Sequence, residues 1–215
     1  MIKLIFFDFS RTIAKGSGFR AGSELVNKKD QYDKIYDEFK SHKIKDEDYV
    51  KFAVKLWKGI KQDNLPEIYS KIEISHNVKP VLKELKKMKL KLALVSNIPL
   101  LIAELYKTNL GFDYISGTDC EVKNGAFTGN AKKINSDKMA VIKNICDKTK
   151  IKPSESIAIG DSISDIKMFK AVGYENSIAY NASEDAKQYA KYHIKDFKEI
   201  IKIIEQKNDI TIKNI

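Results

Sequence analysis

The sequence predicts an α/β fold: a Rossmann-like, mostly parallel sheet with helices on both faces, plus a small helical cap inserted after the first strand. Three observations carry this. Short, nearly continuous apolar runs at residues 2–7, 92–95 and 157–159 read as strands buried on both faces, as parallel strands are. Amphipathic stretches of helical period separate the later runs, the alternation expected of β-α-β units. Between the first and second runs, from about residue 15 to 75, the pattern is helical and strand signals are missing.

Taken in order, Ile2 to Phe7 is too short for a helix and ends at a carboxylate, Asp8. The inserted segment places Tyr32, Ile35, Tyr36 and Phe39 on one helical face and Tyr49, Phe52, Ala53 and Leu56 on another. Its aromatics, Phe39, Tyr49, Phe52 and Trp57, read as a helical core and not as a substrate box. Val78, Val81, Leu82, Leu85 and Met88 repeat at helical steps and feed the strand Leu92 to Val95. A helix from about Pro99, a short strand near Tyr114, a hairpin at Lys123-Asn124-Gly125 and a helix from about Ser136 follow. Ile157 to Ile159 form the next strand. A helix with Ile163, Ile166 and Val172, a strand at Ser177 to Ala179 and a helix with Phe197, Ile200, Ile201 and Ile204 complete the pattern. The expected organisation is a catalytic core at 1–14 and 76–206, a cap at 15–75 and a loosely held tail at 207–215.

The 215 residues suffice for a sizeable core, and 43% hydrophobic with 32% charged residues is the balance of a globular chain. No run of about 18 apolar residues is present and the N-terminus has no signal-peptide pattern, so a cytoplasmic address is expected. Cys120 and Cys146 are too few for a disulfide framework. The net charge of +10 invites a nucleic-acid partner, but the charge is dispersed and only Arg11 and Arg20 of the 39 basic residues are arginine. Base and phosphate readout favour the arginine fork, so the composition argues against that partner.

In a parallel sheet, ligands sit beyond the carboxyl ends of the strands. Three such ends carry polar groups: Asp8, Ser96-Asn97 and Gly160-Asp161. Taken singly, each has an ordinary structural explanation, as a strand end, a helix cap or a turn. Together, and in order, they resemble a known family. Ile5-Phe6-Phe7-Asp8-Phe9-Ser10-Arg11-Thr12 looks like the first motif of the haloacid dehalogenase superfamily, and Ser96-Asn97 like its second. Lys138, at the head of the helix Met139 to Lys148, stands where that family has its lysine; Gly160-Asp161-Ser162-Ile163-Ser164-Asp165 resembles the acidic fourth motif. The helical insert, the hairpin around Gly125 to Gly129 and the run Asp161 to Gly173 look most like phosphoserine phosphatase relatives.

The resemblance implies a magnesium-dependent phosphatase acting on a small phosphorylated metabolite. Asp8 is then the nucleophile. Asp8, Asp161 and the main-chain carbonyl of Ser10 hold Mg2+, with Asp165 supporting the metal or the lysine; magnesium keeps several waters, so two or three protein oxygens suffice. Ser96 donates to a phosphoryl oxygen, Lys138 joins Asp8 to the phosphoryl group by charge, and Arg11, Thr12 and Asn97 are candidate substrate contacts, with a surface salt bridge as the rival role for Arg11.

Two departures qualify this. The family's phosphatases carry a second aspartate two residues after the nucleophile, the general acid and base, a role worth roughly 10²–10⁴ in rate; here Ser10 stands there. Three outcomes stay open: a slow phosphatase, with His42, His76 or Glu24 lending the proton; a long-lived phosphoenzyme; or a non-catalytic phosphate-binding or interaction protein. The glutamate that phosphoserine phosphatases place nine residues after the nucleophile is also missing, Ser17 taking its place, which puts phosphoserine in question as substrate.

Overall fold

The computed structural model describes residues 1–213, with side chains through 209. Its elements run, in chain order, β1 (Leu4–Phe7), α1 (Gly18–Leu25), α2 (Lys29–Lys40), α3 (Asp46–Leu56), α4 (Leu65–Ser70), α5 (Val78–Lys87), β2 (Lys91–Pro99), α6 (Leu100–Leu110), β3 (Tyr114–Lys123), β4 (Ala126–Lys133), α7 (Lys138–Thr149), β5 (Ser156–Gly160), α8 (Ile166–Val172), β6 (Ser177–Tyr180), α9 (Glu184–Lys187), β7 (Tyr192–Ile194) and α10 (Glu199–Lys213). The strands form one sheet in the order β4-β3-β2-β1-β5-β6-β7. Every pairing is parallel except that of β3 with β4.

β1 lies at the centre because all four of its side chains are apolar and buried. Alternation sends Ile5 and Phe7 into one core layer and Leu4 and Phe6 into the other. The first layer includes α5, α6, α10 and the inserted helices; the second packs Ile142, Ile145 and Cys146 of α7 and Met168, Phe169 and Val172 of α8. Register then aligns the strand ends. Phe7 pairs with Leu94 on one side and Ile159 on the other, so Asp8, Ser96 and Asp161 emerge at one edge of the sheet.

The inserted helices α1 to α4 cover that edge. The chain enters and leaves them side by side: Lys15 N–H donates to the Glu73 carbonyl at 2.8 Å and Ser75 N–H to that of Ile13 at 2.9 Å. A second anchor lies at the β3–β4 hairpin, where Gly59 N–H donates to the Phe127 carbonyl, Phe127 N–H to that of Ile60 and Gln62 N–H to that of Gly125, each at 2.8 Å. Trp57 is the buried pivot of this anchor. Its ring meets Phe19 and Phe127 edge-on at 5.9 and 5.2 Å, and its Nε1–H donates to the Phe19 carbonyl at 3.0 Å.

Four expectations change. β2 runs on through Pro99, because its register with β3 shifts between Val95 and Pro99 and pairing resumes there. β3 is ten residues long, extended by its hairpin partner. β7 was not foreseen, since three residues with one fully buried side chain leave no periodic signal. The tail expected from residue 207 is instead the continuation of α10 to Lys213. Lys207 Nζ donates to Asn176 Oδ1 at 2.9 Å and Asn208 Oδ1 accepts from Ile2 N–H at 2.7 Å, which ties this turn to the core. Residues 214–215 of that expected tail lie outside the described residues. No helix among the described residues is long and apolar enough to cross a membrane.

At Gly22 in the insert the packing leaves no room for a side chain: a Cβ there would come within 2.3 Å of the Trp57 ring. Alanine would gain about 1 kcal/mol of helix propensity but must displace a buried, hydrogen-bonded indole, an overpacking cost of about 1–3 kcal/mol. Gly22→Ala is therefore expected to lower the urea midpoint and shift Trp57 emission to longer wavelength. An unchanged midpoint and spectrum would show that this packing is not tight.

Candidate active site

Lys138 organises the site. It opens α7, whose N-cap Asp137 accepts from the N–H groups of Met139 and Ala140 and so fixes where the helix begins. Its side chain is 2% exposed, and its Nζ donates to Asp8 Oδ1 at 2.5 Å and to Asp165 Oδ1 at 2.6 Å. Burial alone would lower this ammonium group, but the carboxylates of Asp165 and Asp8 outweigh that and hold it above the ordinary lysine value. It stays charged.

Asp165 is fully engaged. Its Oδ2 accepts from Asp161 N–H at 2.9 Å, Ser162 N–H at 3.0 Å and Ser162 Oγ at 3.2 Å, while Oδ1 takes Lys138. Gly160 makes room for it: a Cβ there would lie 2.5 Å from the Asp165 Cγ. Asp165 thus orients the lysine and the turn carrying Asp161.

Asp8 and Asp161 are each left with an unfilled oxygen. Asp8 gives Oδ1 to Lys138 and has no bond to Oδ2 among the described residues. Asp161 gives Oδ2 to Arg11 Nε at 2.6 Å, and its Oδ1 is buried without a partner. Burial foremost, and then the charge of Asp165, pushes the Asp8 carboxyl above the usual carboxylate range against the pull of Lys138. Burial foremost raises Asp161 too, opposed by Arg11 and reinforced by Asp165 and Asp8. Oxygens of Asp8, Asp161 and Asp165 lie within 4.8 Å of one another. Three carboxylates against two cations leave an excess of negative charge, and an orphaned buried carboxylate oxygen asks for a cation. An all-oxygen donor set fits a hard one.

The cavity over Asp8 has a volume of about 40 Å³, room for a phosphoryl-sized group or a water or two. Its floor holds Ser10, Arg11, Ser96, Asn97 and Lys138; its roof holds Ser17, Phe19, Tyr36, Phe39 and Tyr49 from the insert, with Ser162 and Ser164 at one side. Ser96 is buried and its Oγ accepts from Ile98 N–H at 3.3 Å. The Asn97 Oδ1 is buried and unpartnered. Thr12 departs from its expected place. The turn at Arg11, with φ of 62°, directs it inward, and it is fully buried and does not line the cavity.

Arg11 is neither a surface bridge nor extended toward a ligand. It folds back onto Asp161, with its guanidinium 5.0 Å from the centre of the Tyr36 ring. The three groups expected to lend a proton in place of an acid at position 10 do not line the cavity. His42 faces Asp185 at 3.9 Å in a separate cleft, His76 is exposed, and Glu24 lies beside Arg20 at 4.0 Å on the outer side of α1. The aromatic expectation splits: Trp57 is core and Phe52 is exposed, but Phe39 and Tyr49 wall the cavity together with Tyr36. Their spacing along α2 and α3 is the same whether such a stripe packs inward or faces a ligand.

The family model for haloacid dehalogenase-like hydrolases matches residues 5–170. The phosphoserine phosphatase of Archaeoglobus fulgidus is 29% identical over 191 residues, which is 87% of this chain and 55% of that protein. The phosphoserine phosphatase of Methanocaldococcus jannaschii is 28% identical over 209 residues, 94% of this chain and 98% of that protein. The chain therefore spans about half the length of the first relative and nearly all of the second. Among solved structures, a substrate-bound phosphoserine phosphatase complex superposes with a TM-score of 0.85 at 26% identity, and a phospho-aspartyl intermediate analogue of phosphoserine phosphatase with 0.84 at 26%. Each alignment covers 94% of this chain and 98% of the other. With its three strand-end motifs gathered in one cavity and the family model spanning most of its length, the chain belongs to the haloacid dehalogenase-like hydrolases, on their phosphoserine phosphatase-like side.

Proposed function

We propose that this enzyme is a magnesium-dependent phosphomonoester hydrolase that transfers the phosphoryl group of a small metabolite to Asp8. The observation that carries this reading is a buried carboxylate with one unbonded oxygen, held by a charged lysine beside an orphaned second carboxylate. Asp8 attacks phosphorus and becomes an aspartyl-phosphate. Lys138 offsets the charge that two anions bring together, and Ser96 Oγ donates to a phosphoryl oxygen. Asp8, Asp161 and the Ser10 carbonyl are the oxygens we assign to magnesium, which when bound sets positive charge against the phosphoryl oxygens.

The second half of the reaction lacks its usual agent. Asp8 is the only carboxylate lining the cavity, and the other proton-bearing groups there are hydroxyls and the two cations. A serine hydroxyl titrates far above neutrality and does not by itself activate water. As Asp8 Oδ bonds to phosphorus the P–O bond to the alcohol breaks, and an aryl oxide leaves without a donated proton; hydrolysis of the phosphoenzyme is therefore the slow step.

The substrate's organic part is expected to differ from that of the relatives. Ser17 accepts a hydrogen bond from Tyr32 at 2.9 Å in the roof, so no carboxylate stands there to pair an ammonium group. The roof aromatics favour an apolar or aromatic phosphomonoester over phosphoserine. Phe39 is shared between this cavity and a cleft of about 780 Å³ between insert and core, which makes it a partition.

Weak, magnesium-dependent turnover of an aryl phosphate is expected, abolished in Asp8→Asn and raised on the order of 10²-fold in Ser10→Asp. Equal steady-state rates in wild type and Asp8→Asn would end this reading. Rapid-quench experiments on the wild type should show a burst of bound phosphate that Ser10→Asp removes. Phe39→Ala should open the cavity to the outer cleft, lowering KM for a naphthyl phosphate more than for a phenyl phosphate; parallel changes in both would remove Phe39 from specificity.

A further inference from the structure

We infer that Arg11 is an exchangeable counter-ion: it occupies Asp161 while no cation is bound, yields that carboxylate when magnesium binds, and then offers its guanidinium to the anionic group of the substrate. This rests on reading the site as a magnesium-dependent phosphatase.

Charge decides the direction of exchange. The carboxylates of Asp8, Asp161 and Asp165 already face two side-chain cations, Lys138 and Arg11. A divalent cation bound among them would add a third in a partly buried setting where like charges repel. It competes with the side-chain cations for the same oxygens. Lys138 is 2% exposed and holds two carboxylates, whereas the Arg11 side chain is 35% exposed and holds one oxygen through a single nitrogen. Arg11 is the one that moves.

The form of the ion pair agrees. Arginine and carboxylate commonly meet through two parallel bonds, but here only Nε engages Asp161. Among the described residues this is the only hydrogen bond Arg11 makes, so both terminal nitrogens of its fork are unused beside a cavity that they line. The Tyr36 ring, 5.0 Å away on α2, gives the released guanidinium an apolar support above the cavity. A phosphoryl dianion arriving afterwards restores the balance, which makes metal binding the step that readies Arg11 for substrate.

The chain supplies its own control, because it has only two arginines. Arg20, 39% exposed, is close to Arg11 in exposure but meets Asp33 through two nitrogens, Nε at 2.8 Å and Nη2 at 3.3 Å, away from the carboxylate cluster. Wild-type protein would be treated with phenylglyoxal, an arginine-selective reagent, and the modification of each arginine followed by peptide mass spectrometry. Magnesium is expected to speed modification of Arg11 several-fold and leave Arg20 unchanged; adding inorganic phosphate with magnesium should protect Arg11 again. In calorimetric titration without substrate, Arg11→Met should bind magnesium about tenfold more tightly than the wild type, the loss of one charge-assisted competitor. Arg11 modification that magnesium leaves unchanged or slows, or an Arg11→Met protein that binds magnesium no more tightly, overturns the inference. If magnesium binds and turnover depends on Asp8 while Arg11 does not respond, the exchange alone is wrong. If magnesium does not bind, or turnover is indifferent to Asp8, the reading beneath it fails and the exchange with it.

Discussion

An ammonium group taken out of water is tolerated only where opposite charge and hydrogen bonds replace the lost solvent, and among the described residues Lys138 is the lysine that meets that condition. The lysine spans three parts of the chain: the end of β1 through Asp8, the β5–α8 turn through Asp165, and its own helix α7. Because Asp165 also gathers the N–H groups of Asp161 and Ser162, the position of one nitrogen fixes both Asp8 and the turn bearing the second carboxylate. Breaking such a pair by removing one partner costs about 3–5 kcal/mol, since the survivors stay buried and unpaired. Stability and site geometry therefore have a common origin, and the strand ends could not shift independently without unseating it.

The sheet was legible because burial on both faces leaves a plain mark, a run of apolar residues followed by a polar one. Asp8 and Asp161 could be picked out by that mark, and Lys138, one of many lysines, only by its place relative to them. What the sequence could not convey was direction. Arg11 was visible as an oddity, yet whether it reaches outward or folds back depends on the left-handed turn it occupies. Thr12 carried a motif position and turned inward for the same reason. The roof aromatics were read as packing, since an amphipathic stripe has one period for either purpose. β7 and the last turns of α10 were missed because they are defined by distant partners, β6 for the strand and Ile2 and Asn176 for the helix, which local pattern does not reveal.

The composition of the roof and the residue at position 10 point the same way. On the proposed reading, a cavity lined by one carboxylate, two cations and an aromatic roof is better made for receiving a phosphoryl group than for releasing it to water.

The bonding between residues 59–62 and the β3–β4 hairpin has a mechanical consequence. There the insert is stitched to the sheet edge by backbone bonds to Phe127 and Gly125 and by the buried Trp57, whereas on the opposite side it meets the core through side chains, Lys167 with Asp46 at 3.1 Å and His42 near Asp185. Side-chain pairs on a surface are weak, whereas the backbone bonds at the hairpin form a ladder flanked by buried Ile60, Trp57 and Phe127. The insert is thus fastened unevenly, like a panel fixed along one side: backbone bonds hold it at the hairpin, and side chains alone hold the edge where Phe39 stands between the inner cavity and the outer cleft.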